Sequence, residues 1–141
     1  MIILDTNVIS ESVRPVPDPD VVAWLDAQDV ETLFLSAISV AELRHGVAAL
    51  PDGKRRQILA TALEERILPL FKNRMLSFDD SASKAYASIR VCARKAGMAI
   101  SAADGYIAAT AAAHGFAIAT RDVGPFMAAG VPVINPWLPS A

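Results

Sequence analysis

Residues 2–10 read Ile2-Ile3-Leu4-Asp5-Thr6-Asn7-Val8-Ile9-Ser10. Ile2-Ile3-Leu4 is a short, unbroken apolar run with no polar alternate position, so it predicts a strand covered on both faces. A carboxylate ends the run, and Asp5, Thr6 and Asn7 carry side chains that cap helices, so a short helix is expected where the strand stops. A buried strand leading straight into a helix is the opening unit of a parallel sheet with helices packed on it.

Outward from there the same alternation recurs. Pro15, Pro17 and Pro19 break the chain, and Asp18-Pro19 reads as N-cap and first residue of a helix with Val21, Val22, Trp24 and Leu25 on its apolar side. Thr32-Leu33-Phe34-Leu35 predicts a second strand. Ser39-Val40-Ala41-Glu42 has the form of a capping box opening a helix to about Leu50. Beyond the turn Pro51-Asp52-Gly53, the spacing of Leu59, Leu63, Ile67 and Leu70 predicts one long helix. Asn73 to Phe78 holds a third strand, and Asp79-Asp80 starts a helix with the stripe Ala82, Tyr86, Ile89 and Ala93, closed by Gly97. Ser101-Ala102-Ala103-Asp104 is a second capping box, and its alanine-rich helix stops at His114-Gly115. Phe116 to Thr120 is a strand, Gly124-Pro125 begins a helical turn, and Val131 to Ile134 is the last strand. The expectation is an α/β fold of three α/β/α layers around a mostly parallel sheet, one domain over residues 1–141 with no linker or repeat.

Composition agrees. The 141 residues are 53% hydrophobic and 20% charged, with a mean hydropathy of +0.36. That excludes a disordered chain, and the length suffices to bury roughly two thirds of the unfolded surface. No apolar stretch reaches the roughly 18 residues of a membrane span, and Asp5 follows the first apolar residues too soon for a signal peptide. A single cysteine, Cys92, is expected as a small buried hydrophobe in a cytoplasmic protein. Residues 1–42 carry eight acids and one base, whereas residues 43–121 carry twelve bases and six acids. Such a split could hold a cation and a phosphate backbone side by side, or be two solvated faces.

Ligands of an open parallel sheet bind beyond the carboxyl ends of its strands. Asp5, Glu42, Asp104 and Asp122 all stand at or near such ends. Each has a structural explanation: Asp5 caps a helix, Glu42 and Asp104 complete capping boxes, and Asp122 shapes a turn. Those explanations give no reason for the four to converge. Two unpaired carboxylates about 4 Å apart repel by about 4 kcal/mol at an effective dielectric of about 20, which protons or a divalent cation must offset. Oxygen ligands with no Cys or His nearby suit Mg²⁺ or Mn²⁺, and phosphodiester hydrolysis is the chemistry that needs them.

The segments Leu4-Asp5-Thr6-Asn7-Val8-Ile9-Ser10, Ser39-Val40-Ala41-Glu42-Leu43, Ala103-Asp104 and Ala119-Thr120-Arg121-Asp122 resemble, in order and spacing, the motifs of PIN-domain ribonucleases of the VapBC toxin type. The ending Val131-Pro132-Val133-Ile134-Asn135-Pro136-Trp137 is similar to the FitB-like branch. The resemblance implies a Mg²⁺- or Mn²⁺-dependent endoribonuclease with Asp5, Glu42, Asp104 and Asp122 as its acidic pocket. Asp5 and Asp104 would be the most direct metal ligands, with Thr6, Asn7 and Thr120 hydrogen-bonding behind them. Many family members carry Asn at the position of Asp122 and an Asp three residues on. That later position is Pro125 here, so the fourth ligand role falls on Asp122. The resemblance also implies a homodimer, of higher order with a small antitoxin whose tail covers the pocket and whose Arg or Lys replaces the metal's charge.

Lys54, Arg55, Arg56, Arg44 and Arg121 are candidate RNA contacts, each also explicable as part of a solvated face. His45 and His114 lack ligand spacing, and Trp24 and Trp137 read as core or interface anchors. Two other functions stay open. Asp5 could be the nucleophile of a phosphatase or phosphotransferase, although Asn7 stands where such enzymes carry a second acid; or the acids could serve only as caps in a binding module.

Overall fold

The computed structural model describes residues 1–139; Ser140 and Ala141, the end of the expected 1–141 domain, lie outside the described residues. Five strands form the sheet: β1 (Ile2–Leu4), β2 (Leu33–Ser36), β3 (Met75–Leu76), β4 (Ala117–Ala119) and β5 (Val133–Ile134). Their order is β3-β2-β1-β4-β5, and every pairing is parallel, so the mostly parallel sheet expected is wholly parallel. From β1 the chain builds outward to β2 and β3, then crosses back to place β4 and β5 on the other side. The reversal leaves a crevice between β1 and β4, where the connections leave in opposite directions.

The helices are α1 (Thr6–Ser12), α2 (Pro19–Ala27), α3 (Ala37–Ala48), α4 (Lys54–Thr61), α5 (Asp80–Lys95), α6 (Ala102–His114) and α7 (Val123–Ala128). Successive strand residues face opposite layers. Ile3 and Ile118 join Ile89, Ile107 and Phe126 from α5, α6 and α7 on one face. Leu4, Leu35 and Ala119 join Val8, Val21 and Val40 from α1, α2 and α3 on the other. Alanines pay their way in α6: Ala108, Ala109 and Ala111 are fully buried. A Cβ on Gly105 would stand 3.0 Å from Tyr86 Cε2, so the glycine lets α5 and α6 approach closely. Among the described residues no helix is long and apolar enough to cross a membrane.

Three local expectations are corrected. The helix after β2 starts at Ala37, not after Ser39, because Ser36 is its N-cap and accepts a hydrogen bond from the Ser39 N–H at 3.1 Å. Glu42 therefore lies in the second turn and is no member of a capping box. The long helix expected through Leu70 ends at Thr61 and passes through a π turn (Ala62–Ile67) into a 3₁₀ segment (Leu68–Phe71). The wider π turn slips the apolar stripe, burying Leu63, Leu68 and Phe71 and leaving Leu70 exposed. Cys92 is exposed: its neighbour Ala93 continues the buried stripe of α5, and one helical step turns Cys92 away from it.

Phe126 is the largest fully buried side chain and anchors α7 against the sheet. Phe126→Ala is expected to cost about 3–5 kcal/mol in a denaturant titration.

Candidate active site

Asp5 occupies the position immediately after β1, with its backbone N–H bonded to the Ala119 carbonyl of β4 at 2.9 Å. Its carboxylate is held on both oxygens. Oδ1 accepts from the Thr6 N–H at 2.8 Å, which makes Asp5 the N-cap of α1, and Oδ2 accepts from the Thr120 hydroxyl at 2.8 Å. The Asn7 amide donates weakly to Oδ2 at 3.5 Å and to Thr120 Oγ1 at 3.3 Å, while Asn7 Oδ1 accepts from the Arg121 N–H at 3.3 Å. Thr120 Oγ1 also accepts from the Asp122 N–H at 3.0 Å. Thr120 and Asn7 thus tie the end of β1 to the end of β4 across the crevice. Thr6 contributes mainly its backbone donor; its hydroxyl reaches Asp5 only at 3.5 Å.

The acids act on one another. Asp5 is 5% exposed, and burial pushes its carboxyl above the usual range; hydrogen bonds from Thr120 and Thr6 oppose that, and Asp104 adds to it. Asp104 is raised by burial, eased by the Ser101 hydroxyl, and raised again by Asp122. Glu42, at the exposed rim, is raised by partial burial of its carboxyl and then by Asp5 and Asp104. The four predicted acids therefore share one electrostatic neighbourhood. Among the described residues no three of them are arranged to enclose a metal ion unaided.

The capping explanation covers part of this. Ser101 does cap α6, accepting from the Asp104 N–H at 3.1 Å. No return bond from the Ser101 N–H to the Asp104 carboxylate exists among the described residues. Asp122 sits at the N-cap of α7 but makes no side-chain cap bond. Asp5 caps α1, yet a cap alone requires neither its burial nor its bond to Thr120.

A groove of about 1250 Å³ begins at Thr6, Asn7, Glu42 and Arg121 and runs between α1, α3 and α4. Its walls are largely apolar, from Ile9, Leu43, Val47, Leu50, Ile58 and Leu59. Lys54, Arg55 and Arg121 line it. Arg44 does not: it pairs with Glu64 through two bonds of 2.7 and 3.0 Å, pinning α3 to the π turn. Arg56 is paired with Asp52 at the preceding turn. The sequence reading missed the groove, because its walls come from three helices whose mutual packing no local pattern reveals.

A parallel sheet reversed at its central strand, with mutually repelling carboxylates in the crevice, defines the class. The PIN domain family model matches residues 2–129, and the chain belongs to that family. Within it the chain falls in the VapC-type, FitB branch. It is 58% identical over 140 residues to the VapC ribonuclease Y4jK of Sinorhizobium fredii, covering 99% of this chain and 100% of the relative. It is 57% identical over 137 residues to toxin FitB of Neisseria gonorrhoeae, covering 97% and 99% of the two chains. A solved structure of FitAB bound to a DNA fragment superposes with a TM-score of 0.96 at 54% identity, over 100% of this chain and 99% of that one.

Because folding raises the pKa of Asp5, Glu42 and Asp104, the folded state binds protons more tightly than the unfolded chain. These groups therefore favour folding most at low pH, and that contribution is lost as pH rises from the ordinary values of 3.8 and 4.5 through the raised ones. The melting temperature of metal-free Asp5→Asn is expected to exceed that of the parent at pH 7, with the gap closing as pH falls through that window. A gap independent of pH would contradict the carboxylate assignment.

Proposed function

We propose that this protein is a Mg²⁺- or Mn²⁺-dependent endoribonuclease acting as the toxin of a VapBC-type toxin–antitoxin pair in the cytoplasm. The observation that carries the reading is Asp5: a buried carboxylate, oriented from both sides, on which a second carboxylate, Asp104, acts. A fold with no catalytic or binding use for such a group would replace it with a neutral cap. The relatives named ribonuclease and toxin support the same reading.

The donor set suits the ion. All four side chains offer hard oxygen, and Mg²⁺ commonly takes only one or two protein carboxylates, completing its shell with water and substrate phosphate. An open cluster that does not enclose an ion unaided is compatible with that habit. Asp5 and Asp104 would be the direct ligands, with Glu42 and Asp122 completing the shell. When bound, the ion supplies charge to offset the phosphate and lowers the pKa of a water for in-line attack. Thr120 and Asn7 fix the rotamer of Asp5. Glu42, at the rim and with a raised pKa, is suited to take a proton from attacking water. Lys54, Arg55 and Arg121 line the path of the RNA backbone.

The phosphatase reading fares worse. Asn7, within reach of Asp5, stands where such enzymes carry their second acid, and an amide cannot exchange the proton that acid would. The groove supports the antitoxin: a small partner with an apolar segment along Ile9, Leu43 and Ile58 and a basic end at the carboxylates complements it in shape and charge. A homodimer, assembled further with antitoxin, follows from the family resemblance.

Antitoxin-free protein with Mg²⁺ or Mn²⁺ is expected to cut RNA oligonucleotides, and EDTA is expected to abolish the activity. Asp5→Asn and Asp104→Asn should each lower the rate by more than about 100-fold, and Thr120→Val by about 10–100-fold, the usual range for a group that orients a ligand. Cleavage that survives both EDTA and Asp5→Asn would refute the reading.

A further inference from the structure

We propose that Arg121 grips the RNA phosphate beside the acidic cluster, and that Trp137 is the positioning residue that aims it there; this rests on the ribonuclease reading above. Arg121 sits next to Asp122 in the chain and lines the same groove as Glu42, yet among the described residues it forms no ion pair with any acid. Its guanidinium carbon instead lies 5.3 Å from the centre of the Trp137 ring, and both side chains line the groove with Glu42 and Asn7.

That placement is built by the chain's last turns. The Thr120 N–H bonds the Ile134 carbonyl at 2.9 Å, which sets the end of β5 beside the end of β4. Asn135 Oδ1 then accepts from the Trp137 N–H at 3.0 Å, and Pro136 is buried, so the chain turns and lays Trp137 beside Arg121. On the other side the Arg121 backbone is fixed by Asn7 Oδ1, whose amide also reaches Asp5. Thr120, the preceding residue, holds Asp5 at 2.8 Å, and Asn7 adds a second, weaker tie between the carboxylate and the Arg121 backbone.

An arginine free to choose would settle on the carboxylates and neutralise them. The face of an indole attracts a guanidinium without removing its donors, because the attraction is to the ring and not to an N–H acceptor. The planar fork remains able to take two phosphate oxygens at once. A phosphodiester drawn toward several carboxylates meets repulsion that a cation held at the rim offsets. Lys54 and Arg55, also on the groove, start α4 and have no aromatic partner among the described residues, which suits looser contacts along the strand.

The test uses antitoxin-free protein with Mg²⁺ or Mn²⁺ and a single-stranded RNA oligonucleotide, with binding followed across a salt series in the cleavage-dead Asp104→Asn background. Arg121→Gln is expected to slow cleavage by about 10- to 100-fold, the size of a lost charged hydrogen-bond pair. It should also lower the slope of log affinity against log salt by about 0.7, one single-strand phosphate contact. Arg121→Lys should restore the slope but only part of the rate. Trp137→Phe, which keeps a ring face, should stay near the parent, while Trp137→Leu should fall toward Arg121→Gln in rate. Parent-like rate and slope in Arg121→Gln, with the parent active, would overturn the proposal and leave the ribonuclease reading standing. Parent-like kinetics in Trp137→Leu would overturn the role of the indole. A parent that cuts no RNA in either metal would remove the ribonuclease reading itself, and this inference with it.

Discussion

A single hydroxyl holds the two halves of this molecule in working register. Thr120, just past β4, donates to Asp5, just past β1, and takes the Asp122 N–H on its other side. The two strands lie side by side only because the chain reverses at β1, so this bond exists nowhere in the local sequence. It fixes the carboxylate on which the acidic cluster is centred. It also offsets part of the burial that would otherwise push Asp5 further toward its neutral form.

The surrounding architecture serves that point. The all-parallel sheet gathers every strand exit on one edge. The close approach of α5 and α6, permitted by Gly105 and the buried alanines, sets the start of α6 and hence Asp104. The early start of α3, capped by Ser36, turns Glu42 toward the rim one turn into the helix. The acids repel one another, and the fold tolerates that repulsion because its apolar burial lies elsewhere, in two layers on either side of the sheet. A site held at some electrostatic cost, with hydrogen bonds spent on orientation, is the usual mark of a group kept for chemistry.

The groove adds a second theme. It joins an apolar channel to a charged end, so one surface can meet a folded partner along its walls and a polyanion at its mouth. Arg44 illustrates how tertiary packing chooses among equivalent-looking residues: it was one of five basic candidates, and the fold commits it to Glu64 on the π turn. Arg121, no different in composition, lies against Trp137 and forms no ion pair among the described residues.

Much of this was legible in the chain. The unbroken apolar run at Ile2–Leu4, the proline-marked starts, and the glycine stops at Gly97 and Gly115 define elements because they act through bonds a few residues long. The alternation of those elements implies a parallel sheet; Asp5 and Asp122 just past strands, and Glu42 and Asp104 early in helices, imply a shared edge. Other features were beyond local reading. The Ser36 cap displaced a better-looking pattern at Ser39 because the end of β2, set by pairing, decides where the helix begins. The π turn at Ala62–Ile67 overrode a regular heptad-like stripe so that Leu63, Leu68 and Phe71 could reach the core together. Sequence determines what each segment can do with its own hydrogen bonds and apolar faces. The crevice, the mutual repulsion of the acids and the placement of Arg121 are decided only in three dimensions, because each is a relation between separate segments, in the case of Asp5 and Thr120 more than a hundred residues apart, that only the packed sheet brings together.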